Sequence, residues 1–302
     1  MIHIDESTPH LFEFRALLET RYRLFKGVVD RVAATFGPAW IQEFDETLGR
    51  LFPSADSLSA AVRGYALFVM DLLRRQKRFE NDGEYPAKSY EEAAAEVYLD
   101  PEYMRSEYLP GLVLSHFLWP HHVRQMSFYE TAFVSQMKLR GATSFVEIGV
   151  GTGLYSRRTL EQLPEARAVG FDISPASAEF AREHMRAFGI DDRFDVRLRD
   201  VVAEPLSPCE WLVCVEVLEH LEDPVEFLRA LRAALAPGGR AFITAALNAP
   251  HVDHIYLYRT SEDVIDQLDA AGFVLEQSFM GLAHKPTAPG LPVPAVVAYV
   301  VE

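Results

Sequence analysis

Between residues 9 and 138, apolar positions recur at helical spacing, and no strand-like alternation of useful length occurs. Phe12, Leu17, Leu18, Phe25, Val28, Val29 and Val32 form one stripe, with Glu13, Arg21 and Arg31 between them. This pattern predicts a helix over residues 9–36, with Thr8 and Pro9 as cap and first turn and Gly37-Pro38 as its end. Further helices are expected over residues 40–48 and 58–79. Ser89 and Glu92 form a capping box for another helix reaching Tyr98. The periodicity resumes over residues 103–119, interrupted at Pro110-Gly111, and a last helix follows Pro120 over residues 121–138.

After Gly141 the period changes. Short apolar runs at residues 144–148, 168–171, 194–198, 211–215 and 240–247 read as strands. Helical stretches at 152–162, 175–188 and 225–235 alternate with them, the third closed by Pro237-Gly238-Gly239. Thr260 and Asp263 cap one more helix, ended by Gly272. Residues 273–280 and 294–301 supply two final strands, with the proline-rich segment K-P-T-A-P-G-L-P between them. Alternating strands and helices imply βαβ units around a mostly parallel sheet. The last two strands have no helix between them and are expected to form an antiparallel pair. The chain is thus α/β over residues 141–302 behind an all-helical part over residues 1–140. Such a helical part can cover a pocket at the strand ends, or bury its apolar face against a second copy as a homodimer.

Composition narrows the function classes. Apolar residues make up 49% of the chain, enough for a sizeable core. A net charge of −15 repels phosphate backbones and argues against a nucleic-acid partner. No uninterrupted apolar stretch reaches membrane-spanning length, and the opening M-I-H-I-D-E has no leader pattern. Cys209 and Cys214 are spaced unlike a zinc clip and read as reduced thiols, so a cytoplasmic setting is expected.

The candidate chemistry centres on F-V-E-I-G-V-G-T-G, residues 145–153. A strand runs into Gly149, Gly151 and Gly153, residues whose missing side chains permit a tight turn and close approach of a ligand to the backbone. The spacing is G-x-G-x-G, distinct from the dinucleotide pattern G-x-G-x-x-G. Asp172 follows Gly151 by 21 residues, at the end of the next strand, where it can accept hydrogen bonds from a ribose diol. These features alone leave NAD, FAD and S-adenosylmethionine open.

Taken together, Glu147-x-Gly149-x-Gly151-x-Gly153, Asp172-Ile173-Ser174, Asp200, the turn from Glu216 to Pro224 and Leu235-x-Pro237-Gly238-Gly239 resemble the ordered motifs of the class I S-adenosylmethionine-dependent methyltransferases. The resemblance covers residues 140–302 and implies a Rossmann-like seven-stranded sheet with an antiparallel last strand. It implies S-adenosylmethionine as methyl donor and S-adenosylhomocysteine as product. Gly149, Gly151, Gly153 and Glu147 would lie by the methionyl portion, Asp172 by the ribose, and Ile173 beside the adenine. Asp200 and Val201 would receive the adenine edge, and Glu216 and Val217 would lie near the sulfonium.

Methyl transfer needs alignment and exclusion of water, and a general base where the acceptor is protonated. His220, after the fourth strand, and His251 and His254, after the fifth, are the catalytic candidates. No metal is expected; the lesser alternative places one at His220, His251 and His254, on a resemblance to methyltransferases of 2-oxo acids. His121, Arg124, Tyr129, Tyr256 and Tyr258 are candidate acceptor contacts. Adjacent histidines on a regular helix do not face one point, so His121 and His122 are not read as a metal pair, and Tyr85, Tyr90, Tyr98, Tyr103 and Tyr108 read as packing. The expected enzyme methylates an oxygen, nitrogen or activated carbon of a small organic acceptor, in natural-product tailoring. The alternatives are a protein or carrier-bound substrate, a non-catalytic cofactor-binding protein and a nucleotide-dependent oxidoreductase.

Overall fold

A computed structural model describes residues 4–286 and 291–302, so residues 287–290 of the proline-rich segment and the first three residues lie outside it. The first helical stripe is split rather than continuous. Helix α1 (Pro9–Arg21) gives way to a tight turn at Arg23–Phe25 before α2 (Val28–Phe36). The break has a local cause: Gly27 adopts φ 71°, and Glu19 accepts its N–H at 2.9 Å. Thr8 does not cap α1; its hydroxyl donates to the Asp5 carbonyl instead. Gly37-Pro38 both ends α2 and starts α3 (Pro38–Leu51), because proline suits a helix's first turn.

Helix α4 (Ala55–Asp82) opens on a Ser54–Ser57 capping box, and α5 (Tyr90–Glu96) on the expected Ser89–Glu92 box. A single turn, α6 (Pro101–Tyr103), leads through a wide π turn at Met104–Tyr108 into α7 (Leu109–Leu118). Pro110-Gly111 therefore does not interrupt this stretch: Pro110 lies in the first turn of α7, where it displaces little hydrogen bonding. Gly111 lets α7 lie against α4, since a Cβ there would come within 2.4 Å of Phe68. Helices α8 (Pro120–Phe128) and α9 (Ser135–Leu139) are joined by a second π turn at Tyr129–Val134. Met126, Tyr129, Phe133 and Met137 of this last stretch pack with Phe145, Trp211, Phe242 and Val300, so the chain enters the sheet's core before its first strand.

Strands β1 (Ser144–Ile148), β2 (Arg167–Asp172), β3 (Phe194–Leu198), β4 (Cys209–Cys214), β5 (Leu235–Leu247), β6 (Leu275–Leu282) and β7 (Ala295–Val301) form one sheet in the order β3-β2-β1-β4-β5-β7-β6. The first five pair in parallel, and β7 runs antiparallel to both β5 and β6. Helices α10 (Leu154–Gln162), α11 (Pro175–Ala187), α12 (Pro224–Ala234) and α13 (Ser261–Ala270) supply the crossovers and cover the faces. β5 begins earlier than its apolar run, taking in Pro237-Gly238-Gly239 with a register shift opposite Cys209 and Trp211. A Cβ on Gly239 would lie 2.9 Å from the Ala236 carbonyl and 3.1 Å from the Cys209 carbonyl, so a side chain there would force the backbone to shift. Strand order reverses between β1 and β4, and the crevice beyond their carboxyl ends is where such sheets bind ligands.

Candidate active site

A cavity of 710 Å³ lies beyond the carboxyl ends of β1, β2 and β4 and is roofed by α4, α7 and α8. Its floor is the glycine turn. Gly149, Gly151 and Gly153 all take positive φ (68°, 49° and 74°). The three glycines do different work. A Cβ on Gly149 would strike Val217 at 2.4 Å, whereas one on Gly151 would meet nothing closer than the Gly149 carbonyl at 3.9 Å. Gly151 therefore leaves its side-chain space to the cavity it lines. Gly153 heads α10, facing Met185 and Ala181, and does not line the cavity.

Because Gly153 has no side chain to cap α10, Glu147 does so from β1: its Oε2 accepts the Ser156 N–H at 3.0 Å and the Ser156 hydroxyl. Burial pushes the Glu147 carboxyl up to about 8, against the pull of these bonds. Asp172 accepts the Gly151 N–H at 2.9 Å on one oxygen and the Ser174 N–H at 2.8 Å on the other. Each oxygen keeps a second acceptor position, and the residue lines the cavity. Burial raises the Asp172 carboxyl, opposed by its backbone donors. Ile173 is exposed and Val201 buried, and both line the same wall as Asp200, whose Oδ1 accepts the Val202 N–H at 2.9 Å.

After β4, Glu216 takes φ 51°, unusual for a residue other than glycine, with its N–H on the Thr244 hydroxyl at 2.9 Å. Its Oε1 is buried without a partner, and burial lifts its carboxyl to about 7. Glu216 and Val217 both line the cavity.

The opposite wall converges on one carboxylate. Asp253 is fully buried and accepts His251 Nδ1–H at 2.6 Å on Oδ1. Its Oδ2 accepts the Tyr108 hydroxyl at 2.6 Å and the Tyr98 hydroxyl at 3.0 Å. His220 Nδ1 lies 3.2 Å from the Asp253 carbonyl and 3.4 Å from Oδ2. Burial alone would raise the Asp253 carboxyl; His220 and His251 outweigh it and hold the group well below the usual range. The three candidate histidines are thus brought together, with rings of His220 and His254 4.8 Å apart and of His251 and His254 5.5 Å apart, and all three line the cavity.

The other acceptor candidates divide. His121 lines the cavity together with His116 and His122, and Trp119 stacks on the His121 ring at 5.7 Å. Burial lowers His116 to about 4 and His121 to about 3, and holds His122 well below its usual value, so all three are neutral. His121 and His122 share the wall despite being adjacent, because they occupy the first turn after Pro120 with rings 4.5 Å apart. Four residues lie elsewhere. Arg124 is exposed over the Phe36 ring, and Tyr129 is a core residue bonded to Thr159. Tyr256 and Tyr258 both turn to Gln267 of α13, at 2.8 and 2.5 Å. Tyr98, Tyr108 and Asp253 went unread as site residues: tyrosines at helical spacing look like packing, and nothing local in H-V-D-H marks the aspartate as their shared acceptor.

Comparison with known proteins agrees with this geometry. Residues 146–241 match the family described as "Methyltransferase domain". A Ubiquinone biosynthesis O-methyltransferase from Xanthomonas euvesicatoria pv. vesicatoria is 30% identical over 117 residues, 38% of this chain and 48% of that protein. The chain thus spans about half the length of the curated relatives it matches. Among solved structures, the Mitomycin 7-O-methyltransferase MmcR superposes over 95% of this chain and 94% of its own, with a TM-score of 0.55 at 18% identity. PigF with SAH does so over 82% and 76%, also at 0.55, with 16% identity. With the glycine turn, Asp172 and the seven-stranded order in place, residues 146–241 match a methyltransferase domain set behind a helical part.

Proposed function

We propose that this chain transfers the methyl group of S-adenosylmethionine to a small organic acceptor held beneath the helical part. The observation that carries the proposal is the continuity of one cavity, from the glycine turn and Asp172 to the His220–His251–His254 wall. The donor side suits the cofactor. Gly151 leaves open space at the turn, and Asp172 has free acceptor positions for a diol. Ile173 and Val201 offer apolar surface for a purine, and Asp200 an acceptor at its edge.

When bound, S-adenosylmethionine supplies an electrophilic methyl group attached to a good leaving group. The chain supplies position, dryness and a proton acceptor. Asp253 is ionised and acceptor-only, so His251 donates through Nδ1 and keeps a lone pair on Nε2, a buried atom with no partner on a residue that lines the cavity. His251 Nε2 is the base we assign to an acceptor hydroxyl. Asp253 holds its tautomer and offsets the charge it gains with the proton. An oxygen acceptor also accords with the name of the Xanthomonas relative. Residues 1–140 are the covering part and 141–302 the donor-binding part, with the stretch through α8 and α9 built into the sheet's core. Self-association through the helical part accords with its exposed Phe12 and Leu24, and a reducing, cytoplasmic setting with the free Cys209 and Cys214.

Calorimetry with S-adenosylhomocysteine and with NAD tests the donor. Binding of the first and not the second is expected, and the reverse would overturn the proposal. Transfer of labelled methyl to a panel of hydroxylated aromatic acceptors then tests turnover.

A further inference from the structure

One end of the cavity carries a group of side chains that the dyad of His251 and Asp253 does not use. One ligand-type atom from each of Glu219, His220 and His254 lies within 4.8 Å of the others. Glu219 is fully buried. Its Oε1 accepts the Ala246 N–H at 3.2 Å, while Oε2 has no partner. His254 Nδ1 is buried and also unpartnered, and a backbone contact at Ala249 engages its ring. His220 directs Nδ1 to Asp253, which leaves Nε2 as its free lone-pair atom. Each of the three residues grouped here therefore keeps a donor atom that no other bond uses.

The charge balance points the same way. Glu216, three residues before Glu219, is buried with Oε1 unpartnered. Among the described residues, no lysine or arginine forms an ion pair with Glu216, Glu219 or Asp253. Buried carboxylates are ordinarily paired or bound to metal. Here the side chains grouped with Glu219 are the imidazoles of His220 and His254. Glu216 and Glu219 thus have no basic side chain paired with them among the described residues.

We propose that Glu219, His220 and His254 bind a divalent first-row metal ion, with Glu216 beside it. Two imidazoles and a carboxylate are a nitrogen and oxygen donor set, suited to Mn²⁺, Fe²⁺ or Zn²⁺ rather than to soft thiolate-seeking ions. Asp253 behind His220 is the carboxylate that fixes the ligand's tautomer and ring orientation. Glu219 takes the place that His251 holds in the three-histidine alternative read from the sequence. Resting on the methyltransferase reading, three protein ligands leave coordination positions for acceptor oxygens on the cavity side, since His220 and His254 line it. The acceptor class is then an oxygen chelator, its hydroxyl acidified by the ion and close to His251.

Chelator-treated full-length protein titrated with Mn²⁺ and with Zn²⁺ in a calorimeter tests the site, with S-adenosylhomocysteine binding measured on the same sample. One equivalent of metal per chain is expected, together with a higher melting temperature in added Mn²⁺. Glu219→Gln and His254→Gln should each weaken Mn²⁺ binding by about tenfold or more while S-adenosylhomocysteine still binds. The melting shift of the unsubstituted protein keeps the test informative if a variant fails to fold. A protein that binds S-adenosylhomocysteine yet takes up neither metal overturns the site and leaves the methyltransferase reading standing. Uptake that both variants retain at full affinity overturns it as well. Metal uptake without S-adenosylhomocysteine binding supports the site and counts against the methyl donor.

Discussion

The Tyr108 hydroxyl donates to Asp253 Oδ2 at 2.6 Å, joining the π turn before α7 to the loop after β5, 145 residues apart. This bond locks the roof of the cavity to the wall that carries the histidines. The same carboxylate orients His251 through its other oxygen. On the function proposed above, covering the acceptor and preparing the base become one structural event. Asp253→Asn should lower kcat/KM by about 10²–10⁴-fold, the usual contribution of an acid–base group. Tyr108→Phe leaves Tyr98, His220 and His251 on Asp253 and should act mainly on acceptor KM, with a loss of about 1–3 kcal/mol in stability for a charge-assisted bond. Steady-state kinetics beside thermal melts separate the two, and similar kcat losses in both variants would contradict the division.

Asp172 is spoken for by two backbone donors, yet it keeps acceptor capacity toward the cavity. Asp172→Ala should weaken S-adenosylhomocysteine binding by about 10–100-fold, the worth of one or two charge-assisted bonds. Calorimetry measures it directly. An unchanged affinity would make Asp172 only an anchor of the glycine turn.

The glycine turn and Asp172 were legible in the sequence because their signals are local. Three glycines spaced two apart mark a tight strand-to-helix turn, and Asp172 ends the strand paired beside them. The seven strands were legible for the same reason, each being a short apolar run set off by turn residues. The wall around Asp253 was not. Asp253 acquires its role from Tyr98 and Tyr108, residues about 150 positions away, and no periodicity records that meeting. Glu219 sits in a turn whose backbone also receives the Ile255 and Tyr256 N–H groups, so it reads as a structural residue until its unpartnered oxygen is seen. The split at Gly27 was hidden because the apolar stripe continues through it; the left-handed glycine and Glu19 override the pattern.

Glu147 carries a pH signature. Its carboxyl stands at about 8 in the folded chain, above an ordinary unfolded value near 4.5. The native state then holds one more proton than the unfolded state between these limits, so this group's contribution to stability falls as pH rises through the window and levels off above it. The slope from one such group is at most about 1.4 kcal/mol per pH unit. Glu147→Gln, which keeps an oxygen for Ser156, should flatten the pH dependence of the melting temperature between pH 5 and pH 8. Parallel curves for the two proteins would show that Glu147 does not titrate there.

Tyr129 supplies the opposite test, a residue whose sequence setting suggested acceptor contact and whose position is in the core. It is fully buried among Phe133, Tyr155 and Phe242. Thr159 spends its only hydroxyl proton on the Tyr155 carbonyl at 2.9 Å, so the Tyr129 hydroxyl must be the donor to Thr159 Oγ1. Tyr129→Phe removes that donor while the Thr159 hydroxyl remains bonded through its proton, and the ring still fills the same space. The expected cost is about 1 kcal/mol of stability, the net worth of a buried neutral hydrogen bond. Affinity for S-adenosylhomocysteine, kcat and acceptor KM should stay at their unsubstituted values, because no atom of Tyr129 lines the cavity. A rise in acceptor KM without loss of stability would place Tyr129 at the acceptor after all, and with it the π turn that carries it.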